Sequence, residues 1–478
     1  MAVSAPRPVS MNPLRRIVDD LRSERAAGAT FPPGPGDFNP ERTFRFVRDP
    51  LPILLDAYRD YGPIFSMRVF HVRVVFMLGP AANHYVTVSH ARNFHWREGS
   101  FGDLIPLLGD GLLTIDDDYH RRARRIMLPA FHTEQIAAAC DTMVAETQRA
   151  LATWEPGQVL DVYHWARRLT LRIAMRALVG LDPDDGERGL RAAADFERAL
   201  GFYGTDFVLR ILRGPRTPWR RMQAARADLD RIVYAEIARR RNEAGTSASE
   251  RTDVLSMLLE AHDAEDGTRL SDREVRDQVM TLLFAGHDTA TSTVAFLLYE
   301  LARHPAALAR VLDEQDRVLG GRAPTAAQLT GALPELDMAL DETLRLYPPA
   351  WIGPRRAVQP FEFGGHAVPA GAYVNYCSWA SHRLPDVWRD PEAFVPERFA
   401  PEAKARLPKG AYVPFGGGSR TCIGMRFGQL EVKTIATLAL QRFRLELDPG
   451  RTITVRQMPT LSPREPLRMV VRERSAPV

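Results

Sequence analysis

Residues 415–424 read Phe-Gly-Gly-Gly-Ser-Arg-Thr-Cys-Ile-Gly, and a run with apolar residues at helical spacing (Leu430, Ile435, Leu438) follows at once. Consecutive glycines let a backbone approach a flat partner closely. A helix start just behind Cys422 offers unpaired N–H groups and the positive end of a dipole, and both favour a thiolate over a thiol. Phe415 can shield one side of the sulfur, and Arg420 supplies a fixed positive charge suited to a carboxylate. The stretch lacks the Lys-Ser/Thr pair of a phosphate loop and is not the G-x-S-x-G of a nucleophile elbow. The bland alternative is an inert buried cysteine after a flexible turn. Against it, F-x-x-G-x-R-x-C-x-G should arise by chance in on the order of one in ten thousand such chains. A soft thiolate held in this way suits haem iron.

Upstream, residues 272–303 carry the longest helical pattern. Ser271 and Glu274 make an S-x-x-E capping box at its start, and His304-Pro305 ends it. At 1.5 Å per residue, ~32 residues span roughly 48 Å, enough to cross a large domain. Within it, residues 285–290 read Ala-Gly-His-Asp-Thr-Ala. The small pair Ala285 and Gly286 leaves space beside the helix. Asp288 and Thr289 put an acid and an alcohol beside that space, a pair able to donate and relay protons. A packing notch whose polar groups are satisfied within the helix is the competing reading. Glu342 and Arg345 form E-x-x-R on one helical face. That pattern is weak, since Glu146, Glu236, Glu300, Glu314 and Glu465 repeat it; what differs is the Tyr347-Pro-Pro and Pro396-Glu-Arg-Phe that follow. The run His120-Arg-Arg-Ala-Arg-Arg puts His120 and Arg124 at i, i+4 on a short helix near 117–130, where a solvated basic face is the alternative.

The chain has 478 residues, with 63 basic against 59 acidic side chains and a net charge of +4, which demands no nucleic acid partner. Three cysteines (Cys140, Cys377, Cys422) without close spacing exclude a zinc ribbon and a disulfide framework, and they fit a reducing cytoplasm. No stretch reads as a spanning helix or a signal-peptide core, so a soluble protein is expected. Residues 1–40 read as an N-terminal extension. In it Leu14, Ile17, Val18 and Leu21 recur at helical spacing before a Phe31-Pro-Pro-Gly-Pro-Gly hinge, forming a helix docked on the body or touching a membrane surface. Residues 41–478 read as one large domain, mainly α with small β-sheets (α+β). Runs 64–70 and 72–78 predict a hairpin, and helices are predicted near 133–153, 160–179, 218–243, 305–319 and 334–346. Short strands are expected around 361–376, then an irregular proline-rich stretch over 385–414 and a helix over 424–441. Strands near 443–447, 452–456 and 467–472 close the chain.

With these motifs in this order, roughly residues 40–475 resemble the cytochrome P-450 superfamily, and the chain is most similar to its soluble bacterial members. The resemblance implies that family's fold, a single large helical domain with a long central helix over the haem. It implies haem b (iron protoporphyrin IX) with Cys422 as the axial thiolate. Phe415, Gly416, Gly424, Ala285 and Gly286 would line the cofactor, and His120, Arg124, Arg355 and Arg420 would meet its propionates. By the same resemblance Thr289 orders the oxygen hydrogen bonds, Asp288 feeds protons, and Glu342, Arg345 and Arg398 form a buried structural triad. Phe101, Leu104, Ile105, Leu108, Leu283, Phe284, Trp351, Ile352 and Leu461 occupy positions that line the family's substrate pocket. They are apolar, so a hydrophobic substrate such as a fatty acid, terpene, steroid or polyketide is expected.

The implied activity is a haem-thiolate monooxygenase that inserts one atom of O2 into that substrate, by hydroxylation or epoxidation. Electrons would come from NAD(P)H through a ferredoxin and ferredoxin reductase, or a flavodoxin-type donor, because no flavin or iron–sulfur module fits in the remaining length. Arg121, Arg122, Arg125, Lys409 and Arg426 would offer a basic surface to such an acidic partner. A cytoplasmic monomer is expected. Two alternatives stay open: a peroxide-driven peroxygenase or isomerase, which has no use for the acid–alcohol pair, and a haem-based sensor, which predicts binding without turnover. The basic segment 209–221 reads as part of a mobile lid. Its charges are solvated or recruit an acidic head group.

Overall fold

The computed structural model describes residues 6, 8–10, 12–27, 31–184, 186–205, 207–243, 253–447 and 453–474, so the expectations for the first residues and for residue 452 fall outside it. The chain divides into two compact units interleaved along the sequence. One comprises 1–121, 350–393 and 405–422, and the other 122–349, 394–404 and 423–478.

The first unit is built on a five-stranded sheet in the order 64–69, 72–77, 373–376, 353–357, 94–95. The expected hairpin is present, with Ile64 opposite Met77 and Val69 opposite Val72. Val72–Met77 then pairs in parallel with Tyr373–Tyr376. Ile64, Val75, Met77, Val86, Phe94 and Val374 form a buried cluster on this sheet, each contributing about 1.5–3 kcal/mol by leaving water. Helix α1 (Pro13–Ala27) lies on it with only half of the apolar stripe expected from sequence, Ile17 and Leu21, half-buried. Leu14 and Val18 are 70% and 44% exposed. The rest of the docking face is ionic. Asp20 accepts hydrogen bonds from Arg356 Nη1 and Tyr373 Oη, both at 3.0 Å, and lies 3.1 Å from His71 Nε2, while Glu24 pairs with Arg68. Helix α2 (Asp117–Met127) is the short helix predicted near 117–130.

The second unit contains the helices α3 (Thr133–Leu151), α4 (Val162–Ala174), α5 (Gly186–Gly201), α6 (Pro218–Asn242), α7 (Asp272–Arg303), α8 (Pro305–Leu319), α9 (Pro334–Leu346) and α10 (Met425–Arg442). The capping box of α7 forms in full: Glu274 N–H donates to the Ser271 hydroxyl, and the Glu274 carboxylate accepts from Ser271 N–H at 2.8 Å. Along its middle and end α7 is buried on nearly every side, which marks it as a central helix; α4, α9 and α10 pack against it. A three-stranded sheet runs 159–161, 468–473, 443–447, and a two-stranded ribbon pairs 455–456 with 462–463. The helix predicted from 160 begins two residues later, because Val159–Asp161 pairs with Arg468–Val470 and Asp161 then caps α4 by accepting from His164 N–H at 3.2 Å. Helix α5 and the helices Pro40–Arg48 and Pro50–Tyr61 carry no expectation from the sequence reading. Among the described residues no helix is long and apolar enough to cross a membrane.

Candidate haem-thiolate site

In the first unit, residues 415–422 fold into a tight loop closed by the Cys422 N–H donating to the Phe415 carbonyl at 3.0 Å. Gly416 and Gly418 adopt positive φ (71° and 60°), a region that disfavours side chains other than glycine. A side chain on Gly417 or Gly418 would collide with Thr87, at 2.7 and 2.3 Å. These two glycines therefore bring the loop against its own chain rather than against a flat partner. At Gly416 a side chain would meet the Tyr376 hydroxyl at 3.6 Å, an ordinary contact, so no collision is what requires glycine there; its positive φ is. Cys422 is exposed, whereas Cys140 and Cys377 are buried and none of the three is in a disulfide. Burial pushes the Cys377 thiol up to about 12, and its Sγ donates to the Trp351 carbonyl at 3.2 Å, so it is no ligand candidate. Helix α10 begins three residues after Cys422, with Gly424 as an N-cap that has no side chain to satisfy the first N–H groups.

Beside this loop Arg355 and Arg420 converge on Trp96, with guanidinium carbons 3.9 and 5.0 Å from the ring centre. Trp96, Arg355, Gly416, Gly417 and Arg420 line one crevice. Arg355 is buried, donates to its own neighbour's carbonyl (Pro354) and makes no ion pair within 4 Å among the described residues, although the Tyr376 hydroxyl and the Asp116 charge support it. Burial pulls its guanidinium below the usual range. A buried cation without a counter-ion is costly unless an anion completes it. Arg420 differs: it pairs with Asp116 at 2.5 Å and donates to the Ile115 carbonyl at 2.8 Å. Phe101, expected at the substrate pocket, stacks on Trp96 at 4.9 Å and so belongs to this cluster. His120 is buried and Arg124 half-buried on α2. An exposed soft thiol and two guanidiniums on one crevice, of which buried Arg355 makes no ion pair among the described residues, together fit a haem with its carboxylates.

In the second unit the notch on α7 separates the two residues expected to work side by side. Phe284, Ala285, Gly286 and Thr289 are the half-exposed positions of an otherwise buried stretch. Thr289 donates its hydroxyl to the Ala285 carbonyl at 2.7 Å, leaving its oxygen lone pairs free on that accessible face. Gly286 is where Leu178 packs, since a Cβ there would sit 3.0 Å from Leu178 Cδ1. Asp288 is fully buried. Its Oδ1 accepts from Arg167 Nη1 and its Oδ2 from Thr460 Oγ1, each at 2.5 Å. Arg167 also holds Glu197 at 2.9 Å. Burial works against the Arg167 charge, yet Asp288 and Glu197 keep its pKa above the ordinary value. Neighbouring His287 is driven towards the neutral form by burial and by Arg167.

The triad forms: Arg345 donates to both oxygens of Glu342 at 2.7 and 2.8 Å, Arg398 Nε lies 3.4 Å from Glu342, and the Val395 N–H donates to the same carboxylate at 2.9 Å. Glu342 and Arg345 are both fully buried. Glu342→Ala should therefore cost about 3–5 kcal/mol by stranding Arg345, read as a lowered midpoint in urea unfolding. Of the expected pocket residues, Leu104, Leu108, Leu283, Trp351 and Leu461 are buried in this structure, while Ile105, Phe284 and Ile352 are half-exposed. Three of the five cations expected to meet an acidic partner are ion-paired within the chain: Arg121 to Asp118, Arg122 to Glu274, and Arg125 to Asp263 and Glu265. Trp96, Asp116, Arg167 and Thr460 were not singled out by the sequence. Only Trp96 carries a local signal there, as an aromatic beside Arg97.

Comparison with known proteins shows the family. The Cytochrome P450 family model matches residues 49–471. The chain is 38% identical over 365 residues to cyclooctat-9-en-7-ol 5-monooxygenase of Streptomyces melanosporofaciens, covering 74% of this chain and 77% of that one. It is 36% identical to cyclooctatin synthase of the same organism, covering 76% and 79%. The retinoic acid-bound cyanobacterial CYP120A1 superposes with a TM-score of 0.82 at 31% identity, covering 93% of this chain and all of that one. The chain belongs to the Cytochrome P450 family. It is accordingly a monooxygenase with that family's fold, an oxidoreductase that incorporates oxygen from O2, and haem is the cofactor the family implies.

Proposed function

We propose that this chain is a haem-thiolate monooxygenase in which Cys422 holds the iron and Arg355 and Arg420 hold the propionates, with His120 and Arg124 as further propionate contacts. The observation that carries this is the exposed Cys422 thiol on a glycine loop beside a buried Arg355 that makes no ion pair among the described residues. When bound, the haem supplies the oxidation, and the thiolate favours O–O cleavage. The chain's own residues bind it, exclude water and move protons. Thr289 orders hydrogen bonds on the accessible face of α7, and Asp288 supplies protons after exchanging one of its two partners.

The substrate is an apolar molecule that touches Phe284 beside Ala285 and Thr289. Support comes from the relatives, one named for an alkene alcohol and one bound to retinoic acid. Electrons come from a separate ferredoxin or flavodoxin-type donor. With Arg121, Arg122 and Arg125 committed to internal pairs, Lys409 and Arg426 are the cations from the expected set left for that partner. A cytoplasmic location fits three cysteines without a disulfide. The test is the absorbance spectrum of purified protein reduced with dithionite, before and after carbon monoxide. A strongly red-shifted Soret band is the expected result. Haem with an unshifted band would sink the thiolate assignment, and folded protein without haem would sink the reading.

A further inference from the structure

Asp116 lies just before α2 and does three things at once. Its carboxylate accepts the backbone N–H of Trp96 at 3.0 Å, accepts that of Arg97 at 3.0 Å, and pairs with Arg420 at 2.5 Å. Asp116 and Arg420 are only 10% and 13% exposed, so water screens the pair poorly. The Trp96 ring it anchors is the surface on which Arg355 and Arg420 both rest. Without Asp116 the crevice would present two buried cations. With it the crevice carries one positive charge fewer, because Asp116 pairs with Arg420 and also acts on Arg355, which makes no ion pair of its own among the described residues.

We infer that Asp116 is a positioning residue that fixes both the place of Arg420 and the net charge at the carboxylate edge of the bound haem, and thereby sets the reduction potential of the iron. The inference rests on the haem reading above. Reduction adds an electron to the haem, and each fixed positive charge nearby stabilises the reduced form by Coulomb attraction in a medium of low dielectric. Asp116 cancels one such charge and so holds the potential down.

The test is a reductive titration of the haem-loaded protein with dithionite and redox mediators at fixed ionic strength, with haem content measured by absorbance. Asp116→Asn keeps an oxygen for the Trp96 and Arg97 N–H groups but loses the charge, and its potential should move to a more positive value. Arg420→Gln removes the cation while Asp116 stays, and its potential should move to a more negative value. The double variant should return towards wild type, as expected when two residues act through one pair. A purely structural Asp116 would alter stability but leave these opposed shifts absent. An Asp116→Asn protein with full haem and a potential at or below wild type overturns the inference. If that variant retains no haem, Arg420→Gln decides, and a potential at or above wild type overturns it. Folded wild-type protein without haem overturns the functional reading and this inference with it, whereas haem-loaded wild type with unmoved variants overturns the inference alone.

Discussion

Cys422→Ser is expected to abolish the red-shifted band of the reduced, carbon monoxide-treated protein and to lower turnover by ~10³-fold or more, a barrier increase of about 4 kcal/mol. The argument is one of ligand chemistry. A cysteine thiol ionises near pH 8.5, and lower beside positive charge or a metal, while a serine hydroxyl stays protonated at neutral pH. The substitution exchanges a soft anionic ligand for a hard neutral one at a single atom. The fold should barely register it, because Cys422 is exposed and surface changes of this size stay within about 0.5 kcal/mol. Loss of the band with an unchanged unfolding midpoint therefore reads the ligand and not the fold. Cys377→Ser is the control: that thiol is buried and bonded to the Trp351 carbonyl, so the band should persist. A red-shifted band surviving in Cys422→Ser would overturn the assignment.

Why the cysteine loop was legible and much around it was not follows from the range of the interactions. Cys422 sits in a contiguous motif whose glycines are demanded by local backbone geometry and by Thr87. The ends of α7 are set by a capping box and by His304-Pro305, both local, and they fall where the spacing predicts. The strand Val159–Asp161 exists only because residues 468–470 pair with it, and three residues carry no period to read. The strand Gly353–Ala357 likewise has no apolar alternation and is fixed by its partner at 373–376. The helices Pro40–Arg48 and Pro50–Tyr61 open on prolines, which act there as helix starters rather than breakers. The ionic part of the docking of α1, through Asp20 and Glu24, is invisible to a reading based on apolar spacing, since its partners lie at residues 68, 71, 356 and 373. The acid at 288 was legible from its motif, yet Arg167 and Thr460, which hold it, lie 121 and 172 residues away.

That hold on Asp288 gives the second large effect. Asp288→Asn should reduce turnover about 10²-fold, the low end of what a positioned proton donor contributes, with substrate affinity from the spin-state titration unchanged. The Asn side chain still offers an oxygen to Thr460, and Arg167 keeps its pair with Glu197 at 2.9 Å, so the site should stay folded. Thr289→Ala should behave differently. Its hydroxyl is accessible and bonded only to the helix's own carbonyl at Ala285, and alanine is the better helix former, so the backbone is undisturbed. The hydrogen bonds offered to oxygen are what disappears. NAD(P)H consumption should continue while product per NAD(P)H falls several-fold and peroxide takes its place. The two variants thus divide the proton path: slow and coupled for Asp288→Asn, fast and uncoupled for Thr289→Ala. Their measurement is NAD(P)H, product and peroxide counted in the same reaction. Full coupling in Thr289→Ala would remove the alcohol from the mechanism. An unchanged rate in Asp288→Asn would mean that the carboxylate is only the structural counter-ion of Arg167.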